Sequence, residues 1–189
     1  MAADIKSADP VRINLPRNTL VVLVGPAGCG KSTFASRHFR PTEIVSSDEC
    51  RALISDDPSN QNVSSHAFEL MHLIIEKRLL LGRLTVCDAT NLERTARKSL
   101  LRIARRFVFN TAAILLDVPL DVCMQRNSGR RRVVPDEALR NQYAMFEKAK
   151  VSVPIEDFDQ TFVLNQDGQS GVVVGISRRT ELRAMSERR

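Results

Sequence analysis

The segment 25–32, GPAGCGKS, has the form G-x-x-x-x-G-K-S. Residue types in this order suit a chain of phosphates. Gly25, Gly28 and Gly30 let backbone N–H groups curl around the anion, and Cys29 sits among them as a small filler with a thiol that can react. Lys31 reaches the outer phosphates, and the Ser32 hydroxyl can bind Mg²⁺. Thr33 follows on the helix, in a secondary or packing role. The context supports the pattern: LVVLV at 20–24 reads as a buried strand, and a helical stretch follows from Lys31. A nucleoside triphosphate such as ATP, with Mg²⁺, is the expected ligand.

Transfer of its terminal phosphoryl group needs an acceptor hydroxyl and a base to deprotonate it. Asp48, in SSDECR, is the candidate base, because a carboxylate facing the γ-phosphate can take the hydroxyl proton. The competing role is a cap on the helix that follows. Arg51 lies three residues on and shares a helix face with Asp48. There it can grip a phosphate belonging to the acceptor; alternatively it is a surface arginine paired with Asp56 or Asp57. A second carboxylate is expected beside the metal. Asp88, in LTVCD, is preferred over Asp117, in ILLD, because Ala89, Thr90 and Asn91 add polar groups next to it.

Arginines are dense at 126–132, RNSGRRR. A mobile arginine segment hinged at Gly129 can close over transferring phosphates, whereas the plainer reading is a solvated basic turn. His66 and His72 fall on one long helix, as packing or substrate wall, and nothing pairs them as metal ligands.

These residues need elements to hold them. The pattern alternates: strands at 20–24, 43–47, 84–88, 112–116 and 161–164, and helices at 31–39, 49–54, 64–81, 93–107, 119–126 and 136–150. Val11 to Leu15 suits a short edge strand, and 172–176 a sixth strand. The segment 127–135 reads as a basic loop. The long helix places Phe68, Met71, His72, Ile75 and Leu79 at helical spacing, with Gly82 as its C-terminal cap. Alternation of this kind means an α/β protein with a parallel sheet covered on both faces. Right-handed crossovers then bring Asp48, Asp88 and Asp117 to the sheet edge that carries 25–32.

Composition sets outer bounds. The chain has 189 residues, enough for one domain: lead-in 1–18, core 19–165 with a lid at about 126–150, and tail 166–189. Its formal charge is +6, which favours a polyanionic partner. Four scattered cysteines make neither a disulfide framework nor a zinc site. No apolar run approaches the ~20 residues of a membrane span, and the first residues lack a signal pattern. The expectation is a cytoplasmic protein with no membrane partner.

The combination resembles the 5′-kinase domain of bacterial end-healing polynucleotide kinases. The likeness spans residues 20–165 and rests on VVLVGPAGCGKSTFA, PTEIVSSDECR followed by LISDD, KRLLLGRLTVCDATN, ARK at 96–98 and QRN at 125–127. It implies a P-loop three-layer sandwich with a central, mostly parallel five-stranded sheet and an arginine-bearing lid. It implies transfer of the γ-phosphate of ATP or another NTP to 5′-OH ends of RNA or DNA. Lys31 and Ser32 would contact donor phosphates and Mg²⁺, Asp48 would be the general base, and Arg51 would bind the phosphate next to the reacting end. Arg126 would act on the donor from the lid, with Arg130 or Arg132 as second lid arginine. Val63, His66 and Phe68 would wall the acceptor. Many relatives of this kind carry phosphatase and ligase modules as well; this chain has room for neither, so such modules would be fused elsewhere or associated. Two rivals remain on the residues alone: a small-molecule kinase acting on an antibiotic, sugar or nucleoside, and a module that binds or hydrolyses NTP without transferring it.

Overall fold

A computed structural model describes residues 12–130, 132–165 and 172–177. Its frame is a five-stranded parallel sheet. In chain order the strands are β2 (Thr19–Val24), β3 (Ile44–Ser46), β4 (Thr85–Asp88), β5 (Asn110–Asp117) and β6 (Gln160–Asn165), and across the sheet they run β3-β4-β2-β5-β6. All four pairings are parallel. TLVVLV of β2 is buried at every position, as a central strand covered on both faces requires. The strand order reverses around β2, so a crevice opens beyond its carboxyl end.

Six helices cover the sheet: α1 (Lys31–His38), α2 (Ser47–Ser55), α3 (Ser64–Leu80), α4 (Arg94–Arg106), α5 (Leu120–Ser128) and α6 (Asp136–Ser152). One face packs Met71, Ile75 and Leu79 of α3, Leu100, Ile103 and Ala104 of α4 and Phe146 and Ala149 of α6 against alternate strand residues. The other packs Phe34 and Ala35 of α1 and Cys123 of α5. α3 ends as expected at Gly82, whose φ of 68° no side chain adopts readily. Its N–H donates to Leu79 O and that of Arg83 to Arg78 O, closing the helix.

The two outer strands exist but do not join this sheet. β1 (Arg12–Pro16) and β7 (Val173–Ser177) pair with each other in a separate parallel ribbon. β1 alternates, burying Ile13 and Leu15 and exposing the residues between. Such a strand fits a one-sided ribbon and not a sheet buried on both faces. The expected turn at 166–171 and the basic tail from 178 lie outside the described residues, as do 1–11 and Arg131.

Two local expectations need correction. Asp48 does not end a strand: β3 stops at Ser46, and Asp48 sits in the first turn of α2. Ser46 supplies the reason, since its Oγ accepts from the Asp48 and Glu49 N–H groups and caps the helix itself. Likewise 127–135 is not all loop. Asn127 and Ser128 finish α5, because the buried Asn127 amide bonds both backbone groups of Val134 at 2.7 and 3.0 Å and staples the loop shut.

Candidate active site

The phosphate loop is held from three sides. Gly25 N–H donates to Thr90 O at 3.1 Å, tying it to the exit loop of β4. Ala27 N–H donates to Gln142 Oε1 on α6 at 2.9 Å. Gly28 presses on α5: its φ is 79°, and a Cβ there would lie 2.3 Å from Cys123 O. Gly30, at φ 100°, is the N-cap of α1. Lys31 is buried, with Nζ donating to Gly25 O at 2.8 Å and Pro26 O at 2.6 Å, and 3.6 Å from Cys29 Sγ. Cys29 is fully buried, whereas Ser32 and Thr33 stand exposed on the first turn of α1.

Asp88, at the end of β4, faces this loop and is buried. Burial pushes its carboxyl up from the ordinary value, against a hydrogen bond from Ser32 and the charges of Lys31 and Arg130; the Asp48 charge adds to the rise. A raised carboxyl beside a hydroxyl and open to a phosphate site is relieved by a cation. No cluster of three or more His, Cys, Asp or Glu exists among the described residues. Mg²⁺ needs none, since it binds through one or two protein groups, substrate phosphates and waters. The donor set Ser32–Asp88 therefore fits that ion. Asp117 is turned elsewhere: Lys150 Nζ approaches its two oxygens at 3.2 and 3.3 Å.

Across the crevice stands α2. Arg51 is buried, donating through Nη2 to Asp48 and through Nε to Pro58 O at 3.0 Å. It is no surface arginine, and Asp57 is taken by Ser59, whose N–H and Oγ donate to it at 2.8 and 2.6 Å. Arg51 Nη1 has no partner among the described residues. The basic segment reaches over from above: Arg132 Nη1 donates to Pro58 O at 3.3 Å and lies 4.0 Å from Asp48 Oδ1. Pro58 O thus gathers one arginine from each wall.

The cleft between these walls measures about 660 Å³ and is lined by Lys31, Ser32, Asp48, Arg51 and Asp88, with Arg130 and Arg132 of the basic segment. Phe68 and His72 of α3 form its far wall, one step round the helix from the buried Ala67, Met71, Ile75 and Leu79. Burial lowers the His72 pKa, the Glu76 charge opposing. Other expected residues lie apart. Val63 is half-buried before α3 and His66 is exposed, its Nδ1 4.0 Å from Glu69; neither lines the cleft. Arg126 is exposed on the last turn of α5, also outside the lining.

Some contributors carry no motif of their own. Gln142 is one; Asn91, expected as a polar group beside Asp88, acts as a tie, its Nδ2 donating to Leu23 O at 2.8 Å and fixing the β4 exit loop to β2. Beneath that loop Arg97 is 1% exposed with every donor engaged. It binds Glu156 through Nε at 2.9 Å and Nη2 at 2.6 Å, the carbonyls of Asn91 and Leu92 through Nη1 at 2.8 and 2.7 Å, and Ser152 Oγ at 3.0 Å. The ARK string held this residue, but only the fold reveals its partner 59 positions away.

Comparison with known proteins supplies the family and the fold. A family model described as an AAA domain matches residues 20–149. The L-seryl-tRNA(Sec) kinase of Methanococcus maripaludis is 25% identical over 135 residues, 68% of this chain and 52% of that protein. The chain thus spans about half the length of that relative. Among solved structures, one of the Pnkp1/Rnl/Hen1 RNA repair complex superposes with a TM-score of 0.62 at 18% identity, over 80% of this chain and 49% of the other. The APS kinase CysC of Mycobacterium tuberculosis, in complex with AMPPNP and APS, superposes with a TM-score of 0.52 at 16% identity, over 82% and 94%. At such identities the structures share a fold, on which phosphate acceptors differ. The family match covers most of the core, and the assignment follows from it: the chain belongs to the AAA domain family.

Proposed function

We propose that the protein is a polynucleotide 5′-hydroxyl kinase, moving the γ-phosphoryl group of ATP or another NTP onto 5′-OH ends of RNA or DNA during nucleic-acid repair. The observation that carries this is the Asp48–Arg51 pair on one face of α2, set across a single cleft from Lys31, Ser32 and Asp88. A base alone serves any hydroxyl acceptor. A buried arginine one turn from it, with Nη1 left over, serves an acceptor that carries a phosphate of its own.

In the proposed reaction the P-loop N–H groups hold the donor phosphates, and Lys31 swings from the Gly25 and Pro26 carbonyls to the γ-phosphate. Ser32 and Asp88 would hold Mg²⁺, which supplies neutralisation of charge on the transferring group. Asp48 accepts the 5′-hydroxyl proton as the new O–P bond forms and the bond to the leaving diphosphate breaks, in line. Arg51 fixes the adjacent phosphate. Arg130 and Arg132 close the cleft from the lid, with Arg126 approaching the donor from α5. Phe68 and His72 face the acceptor, and phosphatase or ligase partners would act on the same ends.

Incubation with γ-labelled ATP, a 5′-OH oligonucleotide and its 5′-phosphorylated counterpart tests this. Label is expected on the 5′-OH oligonucleotide alone. Label on a sugar, nucleoside or antibiotic with none on the oligonucleotide would establish a small-molecule kinase. Release of inorganic phosphate with no labelled acceptor would establish a hydrolase.

A further inference from the structure

The cleft does not end at Phe68 and His72. Its wall continues onto α4, where Thr95, Ala96, Ser99 and Leu100 line it. The sequence of that helix, RTARKSLLRIARR, has six basic residues and no acidic one. Arg97 is buried, which leaves five exposed cations. Three have acidic neighbours: Arg94 lies 3.8 Å from Glu156, Arg105 2.8 Å from Asp157 and Arg106 3.8 Å from Glu76 of α3. Lys98 and Arg102 have no ion-pair partner among the described residues.

These two are placed by helical geometry. Thr95, Ser99 and Arg102 stand at i, i+4 and i+7, on one stripe, and Lys98 flanks it at i+3 from Thr95. Arg102 lies about 10 Å along the axis from Thr95 at 1.5 Å per residue. A chain leaving the cleft past the Thr95 and Ser99 hydroxyls therefore meets two unneutralised cations in succession.

We propose that this outer stripe of α4, with Lys98 and Arg102, is the track for the acceptor strand, binding the phosphodiesters that follow the one held by Arg51. The inference rests on the polynucleotide reading of the cleft and extends it: the enzyme favours acceptors several nucleotides long. The contacts are to phosphates, so they discriminate by length and not by sequence.

The test compares wild type, the double variant Lys98→Ala/Arg102→Ala and a control, Arg17→Ala/Arg37→Ala, which removes two exposed charges elsewhere. Arg17 lies in the turn between β1 and β2, and Arg37 lies on α1, which packs on the other face of the sheet. Each protein is assayed for transfer to a 5′-OH dinucleotide and a 5′-OH octanucleotide, and for octanucleotide binding by fluorescence anisotropy across a salt series. In the track variant, the preference for the octanucleotide in kcat/KM is expected to fall about tenfold, and the salt slope of binding by about 1.4, for two phosphate contacts on a single strand. The control keeps both. Equal losses in the two variants, or none in either, would overturn the track. So would an octanucleotide that wild type does not bind, with an acidic protein as the remaining partner for the stripe. Binding that depends on Lys98 and Arg102 without any label transfer would sink the kinase reading and leave the track standing.

Discussion

The two walls of the cleft, which we propose as its donor half and its acceptor half, are built in opposite ways. The donor half is one contiguous segment, 25–32, whose shape comes from backbone conformations that glycine alone adopts cheaply. The acceptor half is assembled from α2, the 56–60 loop, α3, α4 and the segment after α5, and its shape comes from side chains meeting at Pro58 O and Asp48. A site written into the backbone does one thing, which is to wrap phosphates. A site composed of side chains from several elements can be re-specified one residue at a time, as the different acceptors of proteins sharing this fold require.

The sharpest division between the halves is chemical. Asp48→Ala is expected to lower single-turnover transfer about a thousandfold, roughly 4 kcal/mol, while nucleotide affinity stays within a few-fold. Asp48→Asn, which keeps an acceptor oxygen for Arg51, separates loss of the base from loss of the ion pair. Transfer near wild-type rates in Asp48→Ala would remove the base from the acceptor half altogether.

The halves meet over Arg97. Both it and Glu156 are essentially inaccessible, with side-chain exposures of 1% and 2%. Arg97→Met strands the Glu156 carboxylate in the interior and is expected to cost about 3–5 kcal/mol in urea unfolding. Arg97→Met/Glu156→Leu should recover part of it, the Asn91 and Leu92 carbonyls remaining without their donor. A loss confined below about 1 kcal/mol would mean that water or Arg94, 3.8 Å away, compensates Glu156, and that Asn91 and the Gly25–Thr90 bond suffice to anchor the β4 exit loop.

This contrast also decides what could be read from the chain. The donor half was legible because its determinants are adjacent: the glycines, Lys31 and Ser32 are a pattern before they are a structure. The parallel sheet was legible for a similar reason, since LVVLV within β2 and AAILL within β5 are apolar throughout, as strands covered on both faces must be. The side chains of the acceptor half were legible singly. Asp48 and Arg51 share a helix face that spacing alone reveals. Their setting was not legible: Pro58 O and Arg132 reach the site through contacts over 7 and 74 positions. Of the wall expected on α3, Phe68 and His72 line the cleft, whereas Val63 and His66 precede the face that turns inward.

The donor half has its own breaking point. Gly28→Ala places a methyl group against the Cys123 carbonyl at a positive φ, so the loop and α5 must move apart. About 1–3 kcal/mol of stability should be lost. Nucleotide affinity should fall at least tenfold, and acceptor binding should be retained. Gly82→Ala is the matched control: the φ is also positive, but nothing lies within 4 Å of the added methyl. If both variants lose nucleotide equally, backbone strain and not the contact with α5 sets the loop.

The smallest difference expected is in response to acid, read through His38 behind the donor half and His72 on the acceptor wall. His38 sits on α1 behind the phosphate loop, 4.6 Å from the Phe34 ring, with Nε2 buried and unpartnered among the described residues. Burial first, and the Arg37 charge second, lower its pKa from 6.5. The folded state therefore binds this proton less readily than the unfolded chain. Stability is fully present above pH 6.5, falls as pH drops through the lowered pKa, and levels off below it. His72 follows the same sign but faces the cleft, so its protonation bears on the acceptor. Thermal unfolding between about pH 7.5 and 5.5 should show His38→Gln with a flatter decline than wild type. Over the same range His72→Gln should change the pH profile of acceptor KM and leave that of donor KM alone. A His72→Gln protein whose donor KM shifts with pH instead would show that the Lys31 side and the Asp48 side of the cleft act as one.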